Sequence, residues 1–312
     1  MPTGTSSGSG PPGRCTPSKA LSRPSLLLVN PSSGDQSPSA DELAEEARGR
    51  GIEVRILAGH DDPERLAGNA ARDGTVVGIA GGDGSVAPIA GIAVERDAPF
   101  VCIPFGTRNH FARDLGLDPD DPLGSLAAFD GVERRVDIGR AGDRWFVNNV
   151  SLGLYASLVH DPGRKTRNRL VALLRMLPAA LGSARRPLRL SLEREEGREQ
   201  HSALVVLVGN NAYSTRRMAD LGERESLDEG LLHAYVIESV SRRALLGLLA
   251  CAAAGSLDEA EGWSETAATS FTLEAARGRL HAAVDGEPVV LPAPLDLEIR
   301  PRALRVLVPP PS

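Results

Sequence analysis

Short apolar runs alternate with amphipathic segments over residues 25–104, and this alternation constrains the fold more than any other feature of the sequence. Strands are predicted at Leu26–Val29, Glu53–Leu57, Thr75–Ala80 and Phe100–Ile103. Helices are predicted at Ala40–Arg50, Pro63–Arg72 and Ser85–Glu95. Because strands that alternate with helices pair in parallel, the pattern indicates an α/β domain built on a parallel sheet.

Beyond about residue 136 the pattern changes to short apolar runs separated by turn residues, which is typical of an antiparallel sandwich or barrel. Strands are predicted at Trp145–Val150, Leu188–Leu192, Ala203–Val208, Leu231–Ile237, Phe271–Leu273, Leu280–Val284, Leu295–Ile299 and Leu304–Val308. Two helices are predicted between them, near Asn168–Leu181 and Arg242–Ala254. The predicted organisation is a disordered tail over 1–22, an α/β nucleotide-binding domain over 23–136 and a β-rich substrate domain over 137–299.

Composition is that of an ordinary globular protein, with 41% hydrophobic and 24% charged residues among 312. The net charge of −6 gives the whole chain no general attraction to nucleic acid, so no nucleic-acid partner is expected. Three widely spaced cysteines form neither a zinc pattern nor a disulfide framework, which favours a reducing cytosol. The longest apolar stretch, Ala244–Gly255, is shorter than the roughly 20 residues of a membrane span. We expect a soluble or peripheral protein.

The first candidate site is the Gly-rich turn Gly81–Ser85, between a predicted strand and a predicted helix. Glycines let the backbone approach a polyphosphate, and a helix N-terminus offers free N–H groups and the positive end of its dipole. Asp83, expected to be exposed in this turn, could hold a metal ion. The alternative is a tight β–α turn in which Asp83 caps the helix. The turn matches neither the Walker A pattern nor the dinucleotide pattern GxGxxG.

The second candidate is the turn from Pro104 to His110, directly after the next predicted strand. Turns at the carboxyl ends of neighbouring parallel strands meet at one crevice, where open α/β sheets bind ligands. Thr107 and Asn109 would add side-chain donors for a phosphate or a ribose. Taken alone, this turn indicates only helix capping; together with the first, it predicts a nucleotide site.

The third candidate is Val284–Glu287, at the end of a predicted strand in the second half of the chain. Asp285 and Glu287 flank Gly286 and could supply a general base and a metal contact. An Asp-Gly pair is also a common hairpin turn, and for this segment taken alone the hairpin is the favoured interpretation.

In their order along the chain, these turns and several shorter motifs resemble the diacylglycerol kinase catalytic-domain family, which comprises bacterial lipid kinases and sphingosine-kinase relatives with a NAD-kinase-like superfold. The matching motifs are Asn30-Pro31-x-x-Gly34, Gly81-Gly82-Asp83-Gly84-Ser85, Pro104-x-Gly106-Thr107-x-Asn109, Asp137-x-Gly139, Asn149-x-Ser151-x-Gly153, Asp228-Glu229-Gly230-Leu231-Leu232 and Val284-Asp285-Gly286-Glu287. The ordered series spans residues 25–308.

The resemblance implies an ATP-dependent lipid kinase of two domains, with ATP in the cleft between them and a C-terminal strand near 300–308 that returns to the first domain. It implies that ATP is held by Asn30, Gly81, Gly82, Asp83, Gly84, Ser85, Val86, Ala87, Thr107 and Asn109. Asp83 would help position a catalytic Mg²⁺, and Asp285, with Glu287 beside it, would take the proton of the lipid hydroxyl. A structural Mg²⁺ would be held by a carboxylate and backbone carbonyls among Ser226, Asp228, Glu229 and Leu231.

Four positions depart from the family pattern. Ser85 replaces Thr in the Gly-rich turn and keeps the hydroxyl group. His110 replaces the usual Asp after the GTxN motif, which removes one charge from the acidic network around the metal. Glu229 stands where the family has Asp before Gly-Leu-Leu, so the longer side chain, or Asp228 instead, would have to reach the structural metal. Leu57–Gly59 offers no hydroxyl where the family often has Thr.

Residues 161–190 form a basic segment in an acidic chain, with eight Lys or Arg residues against one acid, a local charge of +7. Leucines interleave with these charges at helical spacing, at Leu170, Leu173, Leu174 and Leu177. Such a segment is typical of a membrane-surface helix, and an ordinary helix with a solvated Arg face is the alternative. Because a lipid substrate is met at a bilayer, we expect a cytoplasmic protein that is peripheral at the inner membrane surface.

Two other functions stay open. A soluble-metabolite kinase of the NAD-kinase type shares the Gly-rich turn, but it lacks the Val284–Glu287 element and usually carries an Asn-Glu pair that this chain does not have. A non-catalytic nucleotide- or lipid-binding homologue would fit the replacements at His110 and Glu229. The sequence leaves open which lipid would be phosphorylated and whether the chain forms a homodimer.

Overall fold

The computed structural model describes residues 23–33, 37–72, 74–153, 188–194, 197–214, 224, 226–238, 247, 250–251, 260–275 and 278–310. The helices of this described part are α1 (Ala40–Gly49), α2 (Pro63–Ala70), α3 (Asp83–Glu95), α4 (His110–Asp114) and α5 (Pro122–Ser125), with a 3₁₀ helix at Leu126–Asp130. Its strands are β1 (Ser25–Val29), β2 (Glu53–Ile56), β3 (Val76–Gly81), β4 (Phe100–Pro104), β5 (Val132–Ala141), β6 (Arg144–Phe146), β7 (Asn149–Gly153), β8 (Leu188–Arg194), β9 (Gly197–Asn210), β10 (Leu232–Glu238), β11 (Trp263–Ala268), β12 (Ser270–Glu274), β13 (Arg279–Val284), β14 (Glu287–Pro292) and β15 (Leu295–Val308).

The first four strands form a parallel sheet in the order β2-β1-β3-β4, which confirms the predicted α/β fold of the N-terminal part. Val29 at the end of β1 pairs with Ala80 of β3, and Gly81 at the end of β3 pairs with Pro104 of β4. The turns that follow these three strands therefore begin side by side at one edge of the sheet, where open α/β sheets bind ligands.

Helices cover both faces of this parallel sheet. On one face Leu27 of β1 packs in a core with Leu43 of α1. On the other face Leu28 packs in a second core with Ala67 of α2 and Ile89 of α3. Because successive side chains of a strand point to opposite faces, each central strand is buried on both sides and its sequence is a continuous apolar run.

The strands from β5 onward pair with one another in antiparallel fashion, which confirms the predicted β-rich C-terminal part. Strand β9 lies between β7 and β8 and also pairs with β10, while β13 connects β7 to β14. A third core, which includes Phe146, Val206, Phe271 and Leu297, holds these strands together.

Strands β5 and β15 run through both parts of the molecule. The first half of β15 pairs with β12 and with the second half of β5, and Val306 near its end pairs in parallel with Phe100 of β4. The register of the β5–β15 pair shifts between Arg300 and Leu304. Strand β5 continues across residue 137, where the sequence predicts a domain boundary; the boundaries of the two domains stay predictions.

Several predicted elements differ from the structure. Helix α3 begins at Asp83 rather than Ser85, because the Gly-rich turn supplies its first turn. The predicted strand Trp145–Val150 is two strands, β6 and β7, separated where the backbone N–H groups of Val147 and Asn148 bind a side chain instead of a strand. The predicted strands Leu295–Ile299 and Leu304–Val308 are both part of β15.

Three strands, β5, β11 and β14, have no counterpart in the prediction. They are exposed along part of their length or along one face, so they lack the continuous apolar run of a buried strand. No helix in the described ranges has the combined length and apolar character that crossing a bilayer requires. The predicted tail over 1–22, the predicted helix near Asn168–Leu181, most of the one near Arg242–Ala254 and residues 161–187 of the basic segment lie outside the described residues.

Candidate active site

The Gly-rich turn joins β3 to α3 and is crowded at two of its three glycines. A Cβ atom on Gly81 would lie 2.8 Å from Cβ of Ser85, and one on Gly84 would lie 2.5 Å from Cγ of Glu287. Gly82 is the N-cap residue of α3, and no side chain caps this helix. The start of α3 therefore keeps backbone N–H groups and the positive end of its dipole for an anionic ligand.

Asp83 is buried, which corrects the expectation that it is an exposed turn residue. Only 9% of the residue is exposed. Its two carboxylate oxygens accept hydrogen bonds from the backbone N–H groups of His110 (3.2 Å) and Phe111 (3.1 Å). Asp83 thus caps the start of α4 across 27 residues of sequence. Each of its oxygens still has a lone pair for a cation.

The turn after β4 is held by Asn109, whose backbone lies in the left-handed region at φ 51°. Its Oδ1 accepts a hydrogen bond from Gly106 N, and its Nδ2 donates to Gly106 O, both at 2.8 Å. A Cβ atom on Gly106 would collide with Cα of Gly82, so the two turns touch backbone to backbone. The buried Asn109 side chain fixes the turn that presents the exposed Thr107, and its predicted contact with the ligand stays a prediction.

Asn30, which directly follows β1, connects the end of that strand to the Gly-rich turn. Its Nδ2 donates to Ser85 Oγ at 2.9 Å, and its backbone N–H donates to Ala80 O. The structure thus brings Asn30, the Gly-rich turn and the Thr107 turn together at one edge of the sheet. Val86 and Ala87, also predicted to bind ATP, are residues of α3 that are buried in the core between this helix and the parallel sheet.

The Val284–Glu287 segment is a two-residue hairpin between β13 and β14, with Val284 paired to Glu287. Asp285 and Gly286 both have positive φ, at 48° and 85°, as a type I′ turn requires. The hairpin lies against the Gly-rich turn, because the Glu287 side chain occupies the space beside Gly84. Nη1 of Arg108 lies 3.9 Å from where a Cβ on Gly286 would be. The hairpin interpretation is correct, and the same hairpin joins the candidate site.

The Asp285 carboxylate is held by three backbone N–H groups that follow β6. Oδ1 accepts from Asn148 (2.8 Å) and Asn149 (2.9 Å), and Oδ2 accepts from Val147 (2.9 Å). Burial raises the pKa of Asp285 to about 7, the three hydrogen bonds oppose that rise, and the negative charge of Asp83 adds to it. A half-buried carboxylate with a pKa near neutrality, opposite the Gly-rich turn, has the properties of a general base.

The residues of the predicted structural metal site lie in the loop before β10, and the metal there stays a prediction. Asp228 Oδ2 accepts a hydrogen bond from Arg302 Nη2 at 2.7 Å, which lowers the pKa of Asp228, and its Oδ1 accepts from Ser226 Oγ at 3.0 Å. Glu229 accepts from Ala212 N, and the carbonyl of Leu231 accepts from Asn211 N. The two carboxylates thus bind different neighbours, and the described part of the chain holds no cluster of three or more His, Cys, Asp or Glu residues suited to a metal.

Sequence reasoning missed the residues that position the predicted ones. The backbone of Val147–Asn149, which holds Asp285, has no side-chain signature that could have revealed it. Asp137 was part of a matching motif without an assigned role; it is fully buried and accepts hydrogen bonds from Gly230 N (2.6 Å) and Arg302 N (2.7 Å). A buried carboxylate with this role is signalled only weakly, by an Asp between apolar residues of a strand.

Two family models match the chain over most of its length. The model of the diacylglycerol kinase catalytic domain matches residues 24–141, and the model of the YegS C-terminal NAD kinase beta sandwich-like domain matches residues 165–308. The two matches correspond to the α/β part and to most of the β-rich part of the structure.

Curated relatives cover the same span. A protein named "Diacylglycerol kinase" from Mycobacterium tuberculosis H37Rv is 28% identical over 296 residues, which are 90% of this chain and 94% of that protein. One named "Probable lipid kinase YegS-like" from Chromohalobacter salexigens is 30% identical over 225 residues, 68% of this chain and 70% of that protein.

Among solved structures, that of a diacylglycerol kinase from Bacillus anthracis superposes with a TM-score of 0.63 at 16% identity. The superposition covers 92% of this chain and 97% of that one. At this level of identity, the superposition supports the two-part fold and no particular chemistry.

Proposed function

The chain belongs to the diacylglycerol kinase catalytic-domain family, whose members include YegS-like lipid kinases, and from that premise we propose that it transfers the γ-phosphate of ATP to the hydroxyl group of a diacylglycerol-like lipid in a Mg²⁺-dependent reaction. The observation that carries the proposal is the position of the Asp285–Glu287 hairpin against the Gly-rich turn. A half-buried carboxylate and a helix start suited to phosphate lie on two sides of one site, as phosphoryl transfer requires.

Phosphate binding falls to the turn Gly81–Ser85 and the start of α3. The uncapped N–H groups of the helix and its dipole favour the negative oxygens of a triphosphate. Ser85, which accepts from Asn30, and the exposed Thr107 supply hydroxyl donors at the same edge. Asn109 acts indirectly, because both ends of its amide hold the backbone of Gly106.

We assign proton removal to Asp285, and the hydrogen bonds of its carboxylate indicate which of the two oxygens accepts the proton. Oδ1 already accepts two N–H groups, whereas Oδ2 accepts one and keeps a lone pair. The lipid hydroxyl proton passes to Oδ2 as the hydroxyl oxygen bonds to the γ-phosphorus. The bond from that phosphorus to the β–γ bridging oxygen breaks, and ADP leaves. Glu287 lies beside Gly84, against the Gly-rich turn.

Magnesium fits the residues present. Asp83 has a lone pair on each oxygen after capping α4, Glu287 lies against the same turn, and Mg²⁺ is usually held by one or two carboxylates plus phosphate oxygens and water. Asp83 and Glu287 would hold the ion, which would supply positive charge to the phosphate oxygens. We do not assign a structural metal to the loop of Ser226, Asp228, Glu229 and Leu231, where Arg302 already supplies the positive charge.

The test is transfer from γ-labelled ATP by the purified full chain, with diacylglycerol, a sphingoid base, phosphatidylglycerol and a polyprenol each presented in mixed micelles, and NAD in a separate reaction. We expect label in the lipid extract, most with the diacylglycerol-like acceptor, and about 10²–10⁴-fold slower labelling after Asp285→Asn. Label in NAD would show a soluble-metabolite kinase instead. ATP binding without transfer to any acceptor would show a non-catalytic homologue.

A further inference from the structure

Arg224 and Asp114 form a buried ion pair that no motif of the sequence suggests. Nε and Nη2 of Arg224 both lie 2.7 Å from Asp114 Oδ2, and the two side chains are 0% and 5% exposed. Neither residue has a hydrogen bond to Asp83, Asp285 or Glu287 in the described structure. Any effect of the pair on the site is therefore transmitted through the elements that it joins.

On one side, the pair is anchored in the element that holds Asp83. Asp114 is the last residue of α4, a helix of only five residues. The N–H groups at its other end, those of His110 and Phe111, donate to the Asp83 carboxylate. Because α4 is one short helical turn, the position of Asp114 is tied to that of Asp83.

On the other side, the pair grips the loop that holds Asp285. Arg224 Nη1 donates to Val147 O (2.6 Å) and to Asn210 O (3.0 Å), and Nη2 donates to Asn148 Oδ1 (2.9 Å). The N–H groups of Val147–Asn149 in turn donate to Asp285. The Arg224 guanidinium thus binds one side of the Val147–Asn149 loop, and the other side of the same loop binds the Asp285 carboxylate.

Five contacts to oxygen occupy the five N–H donors of the guanidinium, two to Asp114 and three to the Asp285 side of the site. A lysine has three donors on one atom and cannot span the same acceptors. The requirement is for the planar shape of arginine and not merely for its charge.

We propose that Arg224, through its pair with Asp114, is a positioning residue that sets Asp285 relative to Asp83 and the phosphate-binding turn. The inference rests on the proposed function, since it takes Asp285 as the base. It assigns to Arg224 a role in turnover and not in ATP binding, because the Gly-rich turn makes no described contact with the guanidinium.

The first test is Arg224→Lys. We expect kcat to fall by up to about 10²-fold, because displacement of a reacting group by about 1 Å costs that much, while the KM for ATP stays at the parent value. Arg305→Lys is the matched control: Arg305 also binds a carboxylate, Glu133, at 3.0 and 2.9 Å, but outside the site, and this variant should keep the parent kcat. An Arg224→Lys enzyme with the parent kcat overturns the inference.

The second test repeats Arg224→Lys in the Asp285→Asn background. If Arg224 acts through Asp285, the substitution costs little further once the base is gone. A general folding defect would lower kcat by the same factor in both backgrounds, and that result overturns the inference. Asp114→Asn, which keeps the size of the side chain, should give the same pattern and replaces Arg224→Lys if the lysine variant does not fold.

Amide hydrogen exchange separates this inference from the proposed function. In the parent, the N–H groups of Val147–Asn149 donate to Asp285, so we expect them to be protected from exchange. We expect Arg224→Lys to speed their exchange without changing that of β3. If the parent transfers no phosphate to any lipid, the proposed function fails, and the exchange result alone decides the positioning role. Unchanged protection of Val147–Asn149 in a folded variant overturns it.

Discussion

Asp285 is expected to give the enzyme a pH dependence that an exposed carboxylate would not. With a pKa near 4, an exposed aspartate is ionised at every pH from 5 to 8. Burial raises the pKa of Asp285 to about 7, so the protonated form, which cannot accept a proton, dominates below that pH. We predict that kcat/KM falls about tenfold per pH unit below 7, measured with the lipid acceptor at fixed micelle composition. A profile that is flat from pH 5 to 8 would contradict the role of Asp285.

Substitution of the base gives the second prediction at the scale of a residue. Asp285→Asn keeps the size of the side chain but removes the proton acceptor, so kcat should fall by about 10²–10⁴-fold with little change in ATP affinity. Initial rates and calorimetric ATP binding measure the two effects. Glu287→Gln is the comparison: if it is the more damaging change, Glu287 is the proton acceptor. Parent rates in both variants would leave the segment as a hairpin only.

Substitution of Gly84 tests whether the contact between the Glu287 side chain and the start of α3 is needed for activity. Gly84→Ala puts a methyl group 2.5 Å from the present position of Glu287 Cγ, so the exposed Glu287 side chain must move. Alanine stabilises helices relative to glycine by up to about 1 kcal/mol, so the variant should stay folded while kcat falls at least tenfold. Gly68→Ala in α2, where the nearest atom would be 3.8 Å away, should retain activity. Equal rates in the two variants would argue against a role for the Glu287 position.

At the scale of elements, Asp137 joins three of them. It lies in β5, and its carboxylate accepts from Gly230 N and from Arg302 N in β15. Asp137→Ala leaves both N–H groups without this acceptor, at a cost of about 1–3 kcal/mol each in the free energy of unfolding. Asp228→Ala removes an exposed ion pair with Arg302 and an exposed hydrogen bond from Ser226, and should cost at most about 1 kcal/mol. Urea unfolding midpoints that are equal for the two variants would show that Asp137 does not hold these elements together.

The elements that could be predicted are those whose pattern is local. Strands β1 to β4 were predicted to within one residue at each end. Burial on both faces makes β1, β3 and β4 continuous apolar runs, whereas β2, at the edge of the sheet, alternates polar and apolar residues. Strands β5 and β14 were missed, because part of each faces solvent. Helix α4 has only five residues and no periodicity, and without it the burial of Asp83 could not be foreseen.

The candidate site also has one part that the local sequence predicts and another that only the fold creates. The Gly-rich turn is recognisable from five consecutive residues, since one turn and one helix start create its chemistry. The environment of Asp285 comes from backbone groups 136–138 residues away, and nothing in the local sequence of either segment specifies that contact. Residue types could suggest a base at Asp285, but only the fold supplies its burial and its three N–H donors.

At the scale of the whole molecule, the site draws on both parts of the structure. Asp83 and Gly84 belong to the parallel-sheet part, and Asp285 and Glu287 to the antiparallel part. The β5–β15 pair runs through both, and Arg224 reaches from Asp114 to Asn210. A substrate bound at this site would therefore contact groups from the two parts at once, and a lipid would have to approach from a membrane surface.

The approach to that surface gives the last prediction, which rests on charge alone. Residues 161–190 carry eight basic residues against one acid, a local +7 in a chain of net charge −6. Each Lys or Arg near an anionic surface contributes about 1 kcal/mol, and salt weakens the attraction. We therefore expect stronger binding to vesicles with anionic lipid than to neutral ones, measured by sedimentation at two salt concentrations.

The test variant has glutamine at Arg164, Lys165, Arg167 and Arg169. The control variant, with the same change in charge, has glutamine at the exposed residues Arg48, Arg65, Arg72 and Arg96. Binding should fall by up to about 10³-fold in the test variant only; an equal fall in both would show that net charge, and not this segment, attracts the protein to the membrane.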